Sequence, residues 1–315
     1  MTIERSAISG PPSGGGAPPD APPTAEIEGA APPTSNARLL IATFVDDKFA
    51  IIGLAIVVLL ALFSFVGPLV YHTDQVHTNL SAVNLPPGTG GHPLGTDQVG
   101  YDQLGRLMAG GRTSLEIGLG AGLLATVVGS LWGAVAGYFG GVVDAVMMRV
   151  VDALLSIPAL FLLLVVAAIW TPSVPLLVVL IGLIAWLVPA RLVRGEALTL
   201  RSREYVQAVR LMGGGRWRVV SRHIVPNTLG TIVVNASFQV ADAILYVAYL
   251  SFLGLGLPPP DTNWGAMLTD GVQYSYDGYW WLIYPPGVAI VLVVIAFNFI
   301  GDGLRDSFDA RLRRR

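Results

Sequence analysis

The amino-acid sequence predicts an all-α protein that crosses a membrane with six helices. Hydrophobic residues make up 53% of its 315 residues and charged residues only 13%, and the mean hydropathy is +0.63. This composition is typical of membrane proteins rather than of soluble domains. Six apolar stretches approach the roughly 20 residues that cross a bilayer core, and they lack the alternation of a β-barrel strand. Helices are therefore predicted, because they satisfy the backbone in lipid.

The N-terminal residues 1–37 are rich in proline, glycine, alanine and serine. They carry too little apolar surface to offset the entropy lost on ordering, so a disordered cytoplasmic tail is predicted. The tail lacks the basic and apolar regions of a secretory signal peptide. A docking role is the alternative to a plain solvated tail.

The first apolar stretch covers residues 49–70 and contains no charged residue. The polar segment at 71–113 is predicted to lie outside the cytoplasm. Together they form a first unit at 38–113, a transmembrane helix with an extracytoplasmic entrance segment. The remaining spans belong to a second unit at 114–315.

The second span, at 117–138, carries Gly129, Gly133 and Gly137 at intervals of four residues. Such spacing gives a helix a smooth face that the backbone of another helix can approach closely. We interpret this face as a site of tight helix packing, with a moving hinge as the alternative.

The last four spans follow in two groups. Residues 153–190 form an uncharged block, and the sequence Thr-Pro-Ser-Val-Pro at 171–175 divides it into the third and fourth spans. The fifth span covers residues 230–257 and the sixth covers 279–300.

A few polar residues lie within or beside these spans. Asp242 is the sole charge inside a span, and a carboxylate there costs roughly 2.5–3.5 kcal/mol on insertion scales, so it is expected to face protein or water. Asn235 lies seven residues earlier on a similar helix face. These two residues and Asn298 are candidates for lining a pathway or for pairing helices. Arg149 and Asp152, three residues apart, are placed to pair on one helix face.

Arginine is distributed unequally between the two sides of the predicted membrane. With six spans, one side holds both termini and the loops after the second and fourth spans. That side carries eight arginines at 191–222 and five more at 305–315, whereas the other side has Arg106 and Arg112. The positive-inside rule therefore predicts an inner (plasma) membrane protein with both termini and the loop at 191–228 in the cytoplasm.

The sequence excludes several classes of chemistry. It contains no cysteine, which rules out disulfides and thiolate metal sites. Its single lysine, Lys48, does not follow a glycine-rich loop, so the chain has no P-loop to hydrolyse ATP. The four histidines lack metal-protease spacing. We expect no catalytic residue, metal, cofactor or nucleic-acid partner.

The loop at 191–228 predicts a helical hairpin. Residues 204–212 suit a short helix that the glycines at 213–215 end, because glycine accepts left-handed backbone. Residues 216–224 suit a second helix that stops before Pro226. Periodicity alone leaves open a basic hairpin that anchors the protein to anionic lipid.

This loop resembles the signature loop of ATP-binding cassette (ABC) importer permeases. That pattern is Glu-Ala-Ala, three residues, glycine, nine residues and Ile-x-Leu-Pro. Here Gln207, Ala208 and Val209 take the triplet, Gly213 takes the glycine and residues 223–226 take the end. The resemblance implies a type I importer fold and a coupling loop that docks on a separate ATPase. The residues so implied are Glu204, Gln207, Ala208, Arg210, Gly213, Arg222, His223 and Pro226.

A narrower resemblance covers nearly everything after residue 90. The sequence is similar to the C-type permeases for dipeptides and oligopeptides at residues 91–100, 102–107, 190–194, 204–206, 222–227, 250–256, 264–265 and 296–306. It implies a peptide-like substrate, a second homologous permease, two ATP-binding subunits and an extracytoplasmic solute-binding protein. It also implies that the permease is embedded in the lipid bilayer. Relatives with this pattern also import nickel and other solutes, which remains the alternative substrate class.

Two other classes of function make different demands on the sequence. A secondary transporter needs several intramembrane ionisable residues for ion coupling, and here Asp242 stands alone. A membrane scaffold without transport has no use for the pattern around Gly213. The sequence therefore favours the permease subunit of an ATP-driven importer.

Overall fold

The computed structural model of the protein describes residues 36–313, with side chains from residue 40 to residue 309. In this range the regular structure is helical, apart from two isolated β-bridges, Thr89 with His92 and Thr96 with Asp102. The predicted tail lies outside the described residues up to residue 35, and its last two residues already belong to a helix.

The chain enters the fold through a segmented first span. A Leu62–Val66 π-helical turn joins its two α-helical parts, and the side chain of Asp47 caps its start by accepting from the amides of Phe49 and Ala50. The helices of this region are α1 (Asn36–Asp46), α2 (Lys48–Ala61) and α3 (Gly67–Val70).

The longest helix and two bent helix pairs follow. The side chain of Asp102 accepts from the amide of Gly105 and caps the start of the longest helix, which ends before Gly140, at φ +65°. The helices are α4 (Gln103–Phe139), α5 (Gly141–Leu155), α6 (Ala159–Ile169), α7 (Val174–Ala185) and α8 (Leu187–Arg201).

The C-terminal part contains a short helical hairpin, a long helix, a short helix and the final long helix. A π-turn at Val220–Ile224 and a 3-10 turn at Val225–Asn227 connect the hairpin to the next span. The helices are α9 (Glu204–Leu211), α10 (Arg216–Val219), α11 (Leu229–Phe252), α12 (Trp264–Val272) and α13 (Trp280–Arg313).

The described residues contain four continuous candidate spans by length and composition, or up to six if each bent pair is one span. The prediction of six spans holds in this form. The third and fourth spans were predicted as an uncharged block at 153–190. They are instead two bent pairs, α5 with α6 at 75° and α7 with α8 at 42°, which extend beyond the block to residues 141 and 201. Helix α4 begins 14 residues before the predicted second span, so the predicted unit boundary at 113/114 lies inside it.

Helix α4 is the centre of the bundle. Its residues belong to four buried apolar clusters. The first joins α4 to α6, α7 and α11, and the second joins it to α11, α12 and α13. The third joins it to α8 and the hairpin, and the fourth to α5 and α8. Large apolar side chains on α2 remain exposed, including Phe49 and Leu59 at 63% and 65%. Such a surface fits a lipid or protein environment better than water.

The glycine face of α4 packs tightly against α8, as the sequence predicts. A Cβ added at Gly129 would lie 2.5 Å from the carbonyl oxygen of Trp186, and one at Gly137 would lie 2.7 Å from that of Arg194. The backbone of Ala190 blocks the same space at Gly133. Small residues here let the two helix backbones touch.

Prolines account for one bend and leave two backbone carbonyl groups without a helical donor. Pro189 has no N–H to donate to the carbonyl of Ala185, four residues earlier, at the α7–α8 bend. The side-chain amide of Gln239 donates to this carbonyl instead, at 3.1 Å. Pro285 in α13 likewise frees the carbonyl of Trp281, which accepts from Gln103 at 3.2 Å. Both exchanges satisfy backbone groups that would otherwise be unpaired in the bundle.

Candidate functional site: the 204–227 hairpin and the α11 cleft

The first candidate site is the helical hairpin at 204–227. Helix α9 ends in a Schellman motif, in which the amide of Gly214 donates to Val209 O at 2.9 Å and that of Gly213 to Arg210 O at 3.1 Å. Gly213 has φ +82°, in the left-handed region that favours glycine. The predicted role of this glycine in ending the first helix is confirmed.

Buried apolar residues fix the hairpin to the ends of α4 and α8. Val206, Val219 and Ile224 are fully buried and pack in one cluster with Ala134 and Ala197. This packing makes the hairpin a stiff extension of two spans, because displacing it would expose the cluster.

The opposite face of the hairpin is exposed and apolar at its tip. Leu211 is 89% exposed, Met212 79% and Trp217 66%. The side chain of Gln207, which takes the place of the family glutamate, donates to Ser202 O at 3.1 Å. An apolar tip on a basic hairpin is the kind of surface that fits a protein groove or a lipid surface.

The sequence-predicted loop residues lie together on this hairpin. The side chain of His223 is half-buried near the ring of Tyr205, with 6.3 Å between the ring centroids, while the other seven are exposed. Those seven are Glu204, Gln207, Ala208, Arg210, Gly213, Arg222 and Pro226.

Two ion pairs join α5 to α8, the helix that leads into the hairpin. Arg194 on α8 makes a bidentate contact with Asp144 on α5, at 2.9 and 2.6 Å. Arg191 contacts Asp152 at 2.5 Å. The i, i+3 spacing predicted that Asp152 would pair with Arg149. Asp152 pairs with Arg191 instead, because the packing of α5 against α8 brings this more distant arginine beside it.

The second candidate site is a cleft of about 370 Å³ between the two bent helix pairs and α11. Most of its lining is apolar. Its polar groups come from one stripe of α11, at residues 235, 239, 242 and 246, which are four, three and four positions apart and so share one helix face. Asn235 and Asp242 were predicted as polar candidates, and both line the cleft.

Sequence reasoning missed two members of this stripe and included one residue outside it. Gln239 and Tyr246 line the cleft, and the 3.6-residue period starting from Asn235 was the signal that marks them. Asn298 is not among the residues that line the cleft, and its amide donates to Val294 O of its own helix at 2.8 Å.

The segments between α3 and α4 and between α11 and α13 form a hydrogen-bonded cap, named the outer cap after the side predicted by the arginine distribution. Asp102 accepts from Tyr71 at 2.9 Å and contacts His92 Nδ1 at 2.7 Å. Burial, followed by the hydrogen bond to Asp102, raises the pKa of Tyr71 to about 12. Trp264 Nε1 donates to Leu107 O at 3.0 Å, which ties α12 to α4. Within the described residues no group of three or more His, Cys, Asp or Glu is arranged to hold a metal ion.

Comparison with known proteins gives two family matches. Residues 129–314 match the binding-protein-dependent transport system inner membrane component, and residues 35–87 match the N-terminal transmembrane domain of oligopeptide transport permease C. The first match covers the spans around the cleft and the hairpin, and the second covers the first span.

Individual relatives resemble the chain over most of its length. It is 41% identical to the oligopeptide transport system permease protein OppC of Escherichia coli, over 86% of this chain and 89% of the relative. It is 37% identical to the dipeptide transport system permease protein DppC of Bacillus subtilis, over 85% of this chain and 83% of the relative.

Proposed function

Because the chain belongs to the family of binding-protein-dependent transport system inner membrane components, and is thus a permease subunit of an ABC importer with the type I fold, we propose that it carries dipeptides or oligopeptides. The relatives at 37–41% identity are named for those two substrates. The chain would form half of the translocation pathway, with the α11 cleft as its surface toward the solute.

The observation that carries the coupling role is the rigid hairpin with its exposed tip. Val206, Val219 and Ile224 bury its inner face, while Leu211 and Met212 are presented outward. The hairpin also carries the residues that align with the importer signature pattern, at 207–209, 213 and 223–226. We therefore propose that the hairpin docks in a groove of an ATP-binding subunit and transmits its closure to α4 and α8.

The proposal requires partner subunits. The chain has no P-loop, since Lys48 does not follow a glycine-rich loop, so ATP hydrolysis is assigned to two ATP-binding subunits. A second homologous permease would complete the pathway and an extracytoplasmic solute-binding protein would deliver the peptide. Because the Gln207 amide is engaged by Ser202, docking is expected to rely on the apolar tip and the arginines.

The experiment is purification of the importer from native membranes in mild detergent, followed by mass spectrometry of the co-purifying chains and ATP-dependent peptide uptake in proteoliposomes. We expect a second permease, P-loop ATPases and a solute-binding protein, together with uptake that stops without ATP. Recovery of this chain alone, active with an ion gradient and no ATP, would identify a secondary transporter and overturn the proposal.

The coupling role has a separate test in Gly213→Pro. Proline holds φ near −65°, which is incompatible with the +82° found at Gly213, and removes the amide that donates to Arg210 O. We expect ATP-driven uptake to fall by at least about tenfold while membrane insertion persists, since the turn between the two hairpin helices is disrupted.

The matched control is Gly215→Pro. Gly215 has φ −60°, and a Cβ there meets no atom within 4 Å. This variant introduces proline into the same loop without distorting its backbone, so it should retain co-purification with the ATPase. Full uptake by Gly213→Pro would remove the assignment of the coupling loop.

A further inference from the structure

The α11 cleft contains one charged group, and the interpretation of that group rests on the proposed peptide transport. Asp242 is the 14th of the 24 residues of α11, so its carboxylate lies near the middle of this span. None of the residues that line the cleft is a lysine, arginine or histidine. The cleft is therefore an apolar cavity whose single charged group is negative.

The neighbours of Asp242 are engaged, whereas its own carboxylate is not. Gln239 donates to Ala185 O, and its amide also lies 3.5 Å from Asn235 Oδ1. No hydrogen bond or ion pair of Asp242 occurs among the described residues. Its side chain is exposed at the cleft wall. A carboxylate held in such a place without a partner is costly in a membrane span and indicates a functional group.

The polar stripe extends from the cleft toward the cytoplasmic end of α11. Eleven residues before Asp242, which is about 16 Å along a helix, the hydroxyl of Thr231 donates to the carboxylate of Glu196 on α8. The other oxygen of Glu196 is buried with no partner. On the same helix, Arg191 and Arg194 pair with carboxylates of α5 rather than with Glu196.

We infer that Asp242 forms a transit site for the protonated amino group of a peptide, with the phenol of Tyr246 and the amide of Asn235 beside it on the same helix face. An ammonium group donates up to three hydrogen bonds, and a carboxylate in a poorly hydrated cleft accepts a charge-assisted bond of this kind strongly. Peptides with a free amino terminus carry that group whatever their side chains. Glu196 provides a second acceptor of the same charge farther along the stripe.

The test uses the complete importer in proteoliposomes, with its binding protein at saturating concentration, and measures the maximal uptake rate of tri-alanine. Asp242→Asn keeps the side-chain shape and removes the charge. We expect at least about a tenfold lower rate, the scale set by loss of a charge-assisted hydrogen bond. Asp242→Glu should retain most of the rate, and Asn235→Asp in the Asp242→Asn background should restore part of it.

The control variant is Asp46→Asn, which removes one exposed carboxylate at the end of α1 and should leave uptake unchanged. Equal uptake by the wild type and Asp242→Asn would overturn the amine site. Loss of the second permease from purified Asp242→Asn would also overturn it, because Asp242 would then pair helices. Absence of tri-alanine uptake by the wild type would instead count against the proposed peptide substrate.

Discussion

At the scale of single residues, the outer cap contains a buried charge cluster. Arg106 is only 8% exposed and donates to Pro260 O at 2.7 Å, and it borders a small cavity with Asp97 and Asp270. Burial raises the pKa of both carboxyl groups, even though Arg106 acts in the opposite direction. The carboxylate of Asp97 also disfavours ionisation of Asp270, so both acids lie beside a single cation, Arg106.

This arrangement predicts a pH dependence of stability. A carboxyl group whose pKa is higher in the folded protein than the ordinary 3.8 contributes stability below that value and loses the contribution as pH rises through its folded pKa. We expect Asp270→Asn to remove part of this loss, so the melting temperature of the variant should fall less between pH 4 and pH 8 than that of the wild type. Thermal unfolding in detergent, followed by tryptophan fluorescence, measures it.

Two comparisons make the test specific. Asp277→Asn removes an exposed carboxylate from the same outer region and should leave the pH profile as in the wild type. Hydrogen bonds from the amides of Val76 and His77 lower the pKa of Asp74 to about 2, so this group titrates below the window. A steeper fall in melting temperature for Asp270→Asn than for the wild type would contradict the argument.

At the scale of helices, the glycine face of α4 determines how closely the central spans approach. We expect Gly133→Ala to destabilise the bundle, because its Cβ would meet the backbone carbonyl of Ala190 and overpacking costs about 1–3 kcal/mol. That corresponds to a lower melting temperature by several degrees in detergent. The same substitution at Gly195 on α8 meets no atom within 4 Å, and alanine favours a helix over glycine. Gly195→Ala should therefore be neutral or stabilising, and equal effects at both positions would refute the packing argument.

The helices also indicate which features a sequence reveals. The glycine spacing in α4 and the left-handed turn at Gly213 were predicted because each depends on local backbone and side-chain size. The bend between α5 and α6 was not predicted, since an uncharged block gives no sign of direction. The pairs Asp144–Arg194 and Asp152–Arg191 join residues 50 and 39 positions apart, and only helix packing selects them. The hydrogen bond from Gln239 to Ala185 O was not predicted, because that carbonyl is freed by Pro189 of another helix.

At the scale of the whole molecule, the arginine distribution predicts the direction of insertion. The segment at 191–228, which includes the hairpin, and the C-terminal end of α13 carry most of the arginines. The hairpin and the C-terminal end of α13 lie at the opposite ends of α11 and α13 from the outer cap. The positive-inside rule places these arginine-rich ends in the cytoplasm. That orientation is also the one in which the hairpin can reach a cytoplasmic ATPase, so the two proposals depend on each other.

The absence of cysteine makes this orientation directly measurable. Ser221 on the hairpin and Ser275 in the outer cap are both exposed, so each can be replaced by cysteine in an otherwise thiol-free chain. We expect a membrane-impermeant maleimide to label Ser275→Cys in spheroplasts and to label Ser221→Cys only after the membrane is permeabilised. Labelling of both after permeabilisation controls for thiol accessibility. The reverse pattern would place the hairpin outside the cell, where no ATP-binding subunit could dock, and would overturn the coupling role together with the topology.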